Sequence, residues 1–247
     1  MIDGTSTTVE WEQHKGTICV WGIGAFEQHS AHLPLSTDIL GADYWARFVA
    51  EELDAALLPT MPFGTSLEMT AFRGTMTLHP ETLMQVVRDI ADEVERQGFR
   101  ILIVINGHGG NHCLVPVIRD INRVNRPLKI IMVPPGQCCD PALKDDNTTR
   151  PSFHSGESET SRMLATHPEL VRKERIDIEY PEDGSWTGLV QTDLTTFGIG
   201  HISPGGAAGE PSKATREKGE KIIASVKKNL IPFLKERIRR LEENPTY

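Results

Sequence analysis

The sequence predicts an α/β fold, three layers thick, in which a mainly parallel central sheet lies between two layers of helices. Three observations carry this expectation. Residues 17–24, 100–105 and 128–133 are short, nearly continuous apolar runs, as expected of strands buried on both faces. The first two are each followed by a polar, glycine-containing loop and then by a segment with helical apolar spacing, the rhythm of a parallel sheet. Ligands of such sheets bind beyond the carboxyl ends of the strands, and both loops fall there.

Composition sets the outer bounds. A chain of 247 residues can bury a full core, and residues 1–247 are read as a single domain. Apolar residues make up 38% and charged residues 24%, which fits a soluble globular protein. No apolar run approaches the roughly 20 residues that a membrane helix needs. The segment Met1–Thr5 lacks the basic and apolar regions of a secretory signal, so none is expected. The net charge of −8 argues against a nucleic-acid partner, which calls for a basic face. Cys19, Cys113, Cys138 and Cys139 contain no CxxC pair. A reduced set of thiols and a cytoplasmic location are therefore expected.

Taken in order, the strand over 17–24 leads through a polar loop into a helix from Asp38, where Trp45, Phe48, Val49, Leu53 and Ala56 repeat at helical spacing. Residues 57–63 read as a short strand end, cut by Pro59 and Pro62. Gly64–Met69 and Phe72–Thr75 are loops that could line a cleft. Pro80 suits the first position of a helix. Leu83, Val87, Ile90 and Val94 form its apolar stripe, and Gly98 its stop. The strand over 100–105 follows, then a helix over 111–125 and a strand over 128–133. Residues 134–153 read as a surface excursion. A helix starts near Glu157, with Ser155 as its expected cap, and residues 181–210 read as a long irregular loop. The last helix is expected over 211–243, with Ile222, Val226, Leu230, Leu234, Ile238 and Leu241 facing the core and Pro232 as a local break.

The chemistry is concentrated in three loops. Glu27, His29, His32 and Asp38 fall within twelve positions. Carboxylates and imidazoles are the side chains that bind zinc, manganese or iron. In extended chain Glu27 and His29 point to the same side. The second loop is Asn106-Gly107-His108-Gly109-Gly110-Asn111 and the third runs from His154 to Ser161. In a helical start Glu157 and Glu159 face different ways, so only one of them can reach a given site. Ser66 and the Gly109-Gly110 pair are expected to contact the substrate. His32 is read first as a structural residue, with orientation of a ligand as the alternative, a role also open to His112.

These residues resemble the creatininase (creatinine amidohydrolase) family. Its first motif is similar to Glu27–Asp38, its second to Asn106-Gly107-His108 and its third to His154–Ser161. Phe72–Thr75 and Gly209–Gly219 also match. The resemblance implies an α/β/α fold and a two-metal hydrolase, commonly hexameric, acting on a small molecule. It implies that Glu27, His29, Asp38 and His108 are metal ligands, with Asp38 bridging two ions of zinc, manganese or iron. It also implies that His154 works beside the substrate as an acid/base. Ser30-Ala31 departs from the usual Gly-Pro. At Gly109-Gly110 creatininase itself carries an aromatic followed by a glutamate ligand. The second ion then needs another carboxylate, Glu159 or its competitor Glu157, and creatinine is disfavoured as substrate. Branches with two glycines include deformylases of pterin or flavin precursors and hydrolases of keto-cyclitols or keto-sugars.

A divalent ion lowers the pKa of bound water from about 15.7 toward about 7. The expected reaction is attack of that hydroxide on the carbonyl of a small cyclic amide or formamide, with His154 or Glu157 protonating the leaving atom. The alternatives are hydrolytic C–C ring opening of a keto-cyclitol or keto-sugar at the same site, and a metal-binding or structural protein without activity.

Overall fold

The structure, a computed structural model, describes residues 1–143, 153–176 and 190–243. A short helix α1 (Thr8–Gln13) precedes strand β1 (Ile18–Ile23), helix α2 (Thr37–Glu52) and strand β2 (Ala56–Met61). Helix α3 (Pro80–Arg96), strand β3 (Ile101–Asn106), helix α4 (Leu114–Arg123) and strand β4 (Lys129–Val133) follow. Helices α5 (Glu157–Thr166), α6 (Val190–Phe197), α7 (Ile199–Ile202) and α8 (Arg216–Glu243) complete the described elements.

The sheet order is β2-β1-β3-β4, and every pairing is parallel. Residue alternation along the strands builds the three layers. Val20 of β1 and Ile101, Ile103 and Ile105 of β3 face Trp45 and Val49 of α2 and Ile222, Val226, Leu230 and Leu234 of α8. Cys19, Trp21, Ile23, Leu102 and Val104 point the other way, onto Leu83 and Val87 of α3 and Leu114 and Val117 of α4. Each fully buried Leu or Ile stabilises the fold by roughly 2 kcal/mol relative to exposure. Two-sided burial is why these strands read as continuous apolar runs rather than alternating ones.

Several expected elements are shifted. Helix α4 begins at Leu114, because residues 110–113 are taken up by a tight turn in which the His112 amide donates to Gly110 O at 2.7 Å. Gly156, not Ser155, caps α5. Ser155 has φ of +53°, whereas a capping residue is extended. The last helix starts at Arg216, with Pro211–Lys213 forming a separate 3₁₀ turn. Part of the loop expected over 181–210 is helical, as α6 and α7; residues 181–189 lie outside the described residues, as do 144–152 of the excursion over 134–153. All four cysteines are free. Among the described residues no helix is long and apolar enough to cross a membrane.

The order β2-β1-β3-β4 reverses direction between β1 and β3. Their last register pair, Ile23 with Asn106, marks the crevice where the two loops leave in opposite directions.

Candidate metal centre

Close approach of backbone at this crevice depends on two glycines. A Cβ on Gly24 would meet the Ile39 backbone at 2.7 Å, and one on Gly107 would meet Asp38 O at 2.7 Å and Ala42 Cβ at 2.9 Å. Their absence lets the first turn of α2 sit directly over the ends of β1 and β3, carrying Asp38 inward. Glu27 leaves β1 in extended chain, next to an isolated bridge between Phe26 and Met76, and His29 follows on the same side. His108 enters from the loop after β3, His154 from the segment before α5, where it bridges Ala208, and Glu159 from the first turn of α5.

Six side chains meet there. Asp38 has Oδ1 3.3 Å from His29 Nε2 and Oδ2 2.9 Å from His108 Nδ1. Glu27 Oε1 lies 3.3 Å from His108 Nδ1 and 3.6 Å from His154 Nδ1. Glu159 Oε2 lies 3.6 Å from His29 Nε2. Three sets of donor atoms each fall within 4.8 Å of one another: Glu27, Asp38 and His108; His29, Asp38 and Glu159; and Glu27, His29 and His154.

The imidazoles are held by main-chain carbonyls on their far sides. His29 Nδ1 is 3.2 Å from Glu27 O, His108 Nε2 2.9 Å from Thr65 O, and His154 Nε2 2.9 Å from Gln28 O. A carbonyl only accepts, so those nitrogens carry hydrogen and the opposite nitrogen of each ring faces the carboxylates. His154 Nε2 also lies 3.0 Å from the Gln28 amide nitrogen, whose hydrogens serve Gly206 O at 3.0 Å.

The charges call for a cation in the centre. Burial opposes a charged His29, but Asp38 and Glu159 outweigh it and raise its pKa to about 10. Burial likewise opposes a charged His108, and Glu27 and Asp38 raise it to about 9. Burial pushes Glu27 up to about 7 against the pull of His108. Asp38 is held well below the usual carboxylate range, its burial overcome by His29 and His108. Burial and neighbouring His29 hold His154 well below the ordinary imidazole value. Both oxygens of Glu27, His29 Nε2 and Asp38 Oδ2 are buried without a hydrogen bond. Orphaned buried carboxylate and imidazole atoms are costly, and a set of carboxylates and imidazoles fits zinc, manganese or iron.

The two glutamates of α5 separate as their spacing implies. Glu159 turns toward His29, while Glu157 pairs with Lys218 of α8 at 2.6 Å. The acid/base role expected of Glu157 has no support in this placement, because the side chain points into the α5–α8 contact. His32 is fully buried, with Nε2 2.9 Å from Thr160 Oγ1. It ties the first loop to α5, in keeping with the structural reading.

A cleft of about 750 Å³ opens against His108 and His154, with Gly109, Gly110 and the exposed His112 in its wall. A recess of about 260 Å³ reaches Asp38, His108 and Glu159 from another side. Ser66 does not serve as expected. It is fully buried behind His108, with Oγ 3.5 Å from His108 Nε2. Gly110 is glycine for steric reasons: a Cβ would lie 2.4 Å from Glu68 Oε1 and from His108 Nε2, and 2.7 Å from Thr65 O. Sequence reasoning missed Thr65, whose carbonyl holds His108, and Gln28, whose carbonyl holds His154. Main-chain partners leave no signal in residue type.

The family model described as Creatininase: Creatinine amidohydrolase matches residues 3–234. The chain is 28% identical over 235 residues to the mycofactocin precursor peptide peptidase of Mycobacterium ulcerans (strain Agy99), covering 90% of this chain and 86% of that one. It is 27% identical over 218 residues to the creatinine amidohydrolase of Pseudomonas putida, covering 81% and 82%. A solved structure of a mutant creatininase of the Zn-Zn type superimposes with a TM-score of 0.78 at 26% identity, covering 95% of this chain and 96% of that one. With the match running through nearly the whole chain and its fold, this protein belongs to the creatininase family.

Proposed function

We propose that this chain is a divalent-metal-dependent hydrolase that cleaves the amide C–N bond of a small cyclic amide or formamide-type substrate. The observation that carries the reading is the set of buried, unbonded carboxylate and imidazole atoms converging beside an open cleft. Glu27, Asp38 and His108 would hold one ion, and His29, Asp38 and Glu159 a second. Zinc, manganese and iron all suit these donors. Such ions, when bound, supply an activated water near neutral pH and polarise a carbonyl.

The remaining work falls to the chain itself. Asp38 serves both positions because its two oxygens face different imidazoles. The carbonyls of Glu27 and Thr65 orient His29 and His108 so that no ring rotation is needed on binding. His154 stands in the cleft wall and is neutral. From there its Nδ1, which faces the centre, could take the proton released as water attacks the carbonyl and pass it to the leaving nitrogen. The names of the relatives, a creatinine amidohydrolase and a peptide peptidase, support hydrolysis of this bond type. The open space beside Gly109 agrees with a substrate other than creatinine. Assembly as a homo-oligomer belongs to the same proposal and is read by light scattering.

The test is metal-loaded protein against formamides, cyclic ureides and keto-inositols, with product analysis. Cleavage of a C–N bond supports the reading. Opening of a carbon ring would replace it with C–C hydrolysis, and turnover of nothing by a metal-replete protein would favour a binding protein.

A further inference from the structure

Glu68 occupies a position in the cleft that the centre does not use. It lies on the 3₁₀ turn Leu67–Met69, and Oε1 comes within 2.4 Å of the point where a Gly110 Cβ would stand. His108 Nε2 is equally close to that point, so the carboxylate and the Nε2 edge of the His108 ring flank the same spot. The turn is anchored. Met69 is buried against Ile199 and Ala208, and Gly198 approaches Glu68 O closely enough that a Cβ there would lie at 3.0 Å.

No hydrogen bond or ion pair reaches the Glu68 side chain among the described residues, and the described cleft wall contains no lysine or arginine. A half-buried carboxylate held on an anchored turn, without a counter-charge, is set up to bind a cation or strong donor from outside. The rim around it is apolar: Leu67, Phe153 and Phe197 are 48%, 42% and 58% exposed. We infer that Glu68 is a specificity-determining residue, taking the ammonium group of a substrate whose apolar stem lies against Leu67, Phe153 and Phe197. This inference rests on the hydrolase reading for the bond cleaved, but the recognition step is separable from it.

The test measures binding before turnover. Metal-loaded protein is titrated calorimetrically with 2-phenylethylammonium and with the neutral 2-phenylethanol. Wild type is expected to bind the cation at least about tenfold more tightly, as a charge-assisted contact provides. Glu68→Gln should reduce that preference to within about twofold, and Glu68→Asp should keep part of it. The inference is overturned if wild type does not discriminate, or if Glu68→Gln keeps the preference. Asp38→Ala protein, depleted of metal, controls for coordination of the amine. A preference lost there and kept in Glu68→Gln would assign the binding to the metal and end the proposal. If the preference follows Glu68 but no ammonium-bearing formamide such as N-(2-aminoethyl)formamide is hydrolysed, the hydrolase reading fails while the recognition role stands.

Discussion

Lys218 Nζ lies 2.6 Å from Glu157 Oε1, a pair that joins α8 to α5, while Glu159 faces His29 instead. Glu157 is only 3% exposed, so removing its cation leaves a buried charge without compensation. Breaking such pairs costs about 3–5 kcal/mol. Lys218→Met should lower stability by about 3 kcal/mol, read from urea unfolding. Glu157→Gln should reduce turnover less than about tenfold and leave metal content unchanged, whereas Glu159→Gln should lose metal. Loss of metal in Glu157→Gln with retention in Glu159→Gln would reverse the assignment.

Asp38 faces both His29 and His108, so it should matter more than either histidine alone. Asp38→Ala is expected to lose bound metal and to reduce kcat by at least about a thousandfold, since nothing then bridges the two positions. Elemental analysis beside kinetics decides this. If bound metal and turnover both survive, the assignment of the centre is wrong.

Gly109 and Gly110 make a matched pair. Nothing lies within 4 Å of a Cβ at Gly109, whereas one at Gly110 meets three atoms, none farther than 2.7 Å. Gly110→Ala should cost about 2 kcal/mol through overpacking and weaken metal binding by displacing His108. Gly109→Ala should change stability by less than about 0.5 kcal/mol. Melting temperatures and metal titrations of the two variants check the contrast.

Ser30 sits at φ of +56°, a region costly for residues with a Cβ. Its hydroxyl is also buried without a partner. Ser30→Gly removes both penalties and should stabilise the protein by about 1 kcal/mol. A lower urea midpoint for the variant would contradict this.

The centre should couple to pH in opposite ways with and without metal. In the metal-free chain the folded pKa values of His29 and His108 are raised to about 10 and about 9. Groups raised in this way contribute stability that is complete below about pH 6.5, the unfolded value, and is lost as pH rises through 9 and 10. Asp38 is depressed, so its contribution is present above about pH 4, its unfolded value, and is lost in acid as pH falls through its folded value. Metal must displace the histidine protons. Its affinity should therefore rise by up to about tenfold per pH unit for each proton released, and level off above about pH 10. Melting curves of metal-free protein between pH 6 and 10.5, with zinc titrations alongside, measure both trends. A metal affinity that is flat below pH 9 would show that the histidines do not bind it.

Much of the fold was legible because burial on both sides leaves a plain record in residue type. Ile101, Leu102, Ile103, Val104 and Ile105 are apolar without exception, and all are buried. Helix α3 was legible from Pro80 and its stripe. Helices α6 and α7 were not, because Val190–Ile202 is rich in threonine and glycine and lacks a strong apolar period. The start of α5 at Glu157 was legible, but its cap was not: residue type favours Ser155, whose positive φ does not suit a cap.

The sequence by itself determined the layered parallel sheet and supplied the candidates for the centre: Glu27, His29, Asp38, His108, His154 and one of the two glutamates on α5. The sheet rests on apolar periodicity and the candidates on the donor chemistry of carboxylate and imidazole, while the roles expected of them come from the resemblance to the family. Tertiary structure alone decided which glutamate faces His29, which nitrogen of each imidazole faces inward, and that Ser66 lies behind the site while Glu68 lies in the cleft. Those choices depend on Lys218, on the carbonyls of Glu27, Thr65 and Gln28, and on the room left by Gly110. Such partners are distant in the chain or belong to the backbone, so residue type carries no trace of them.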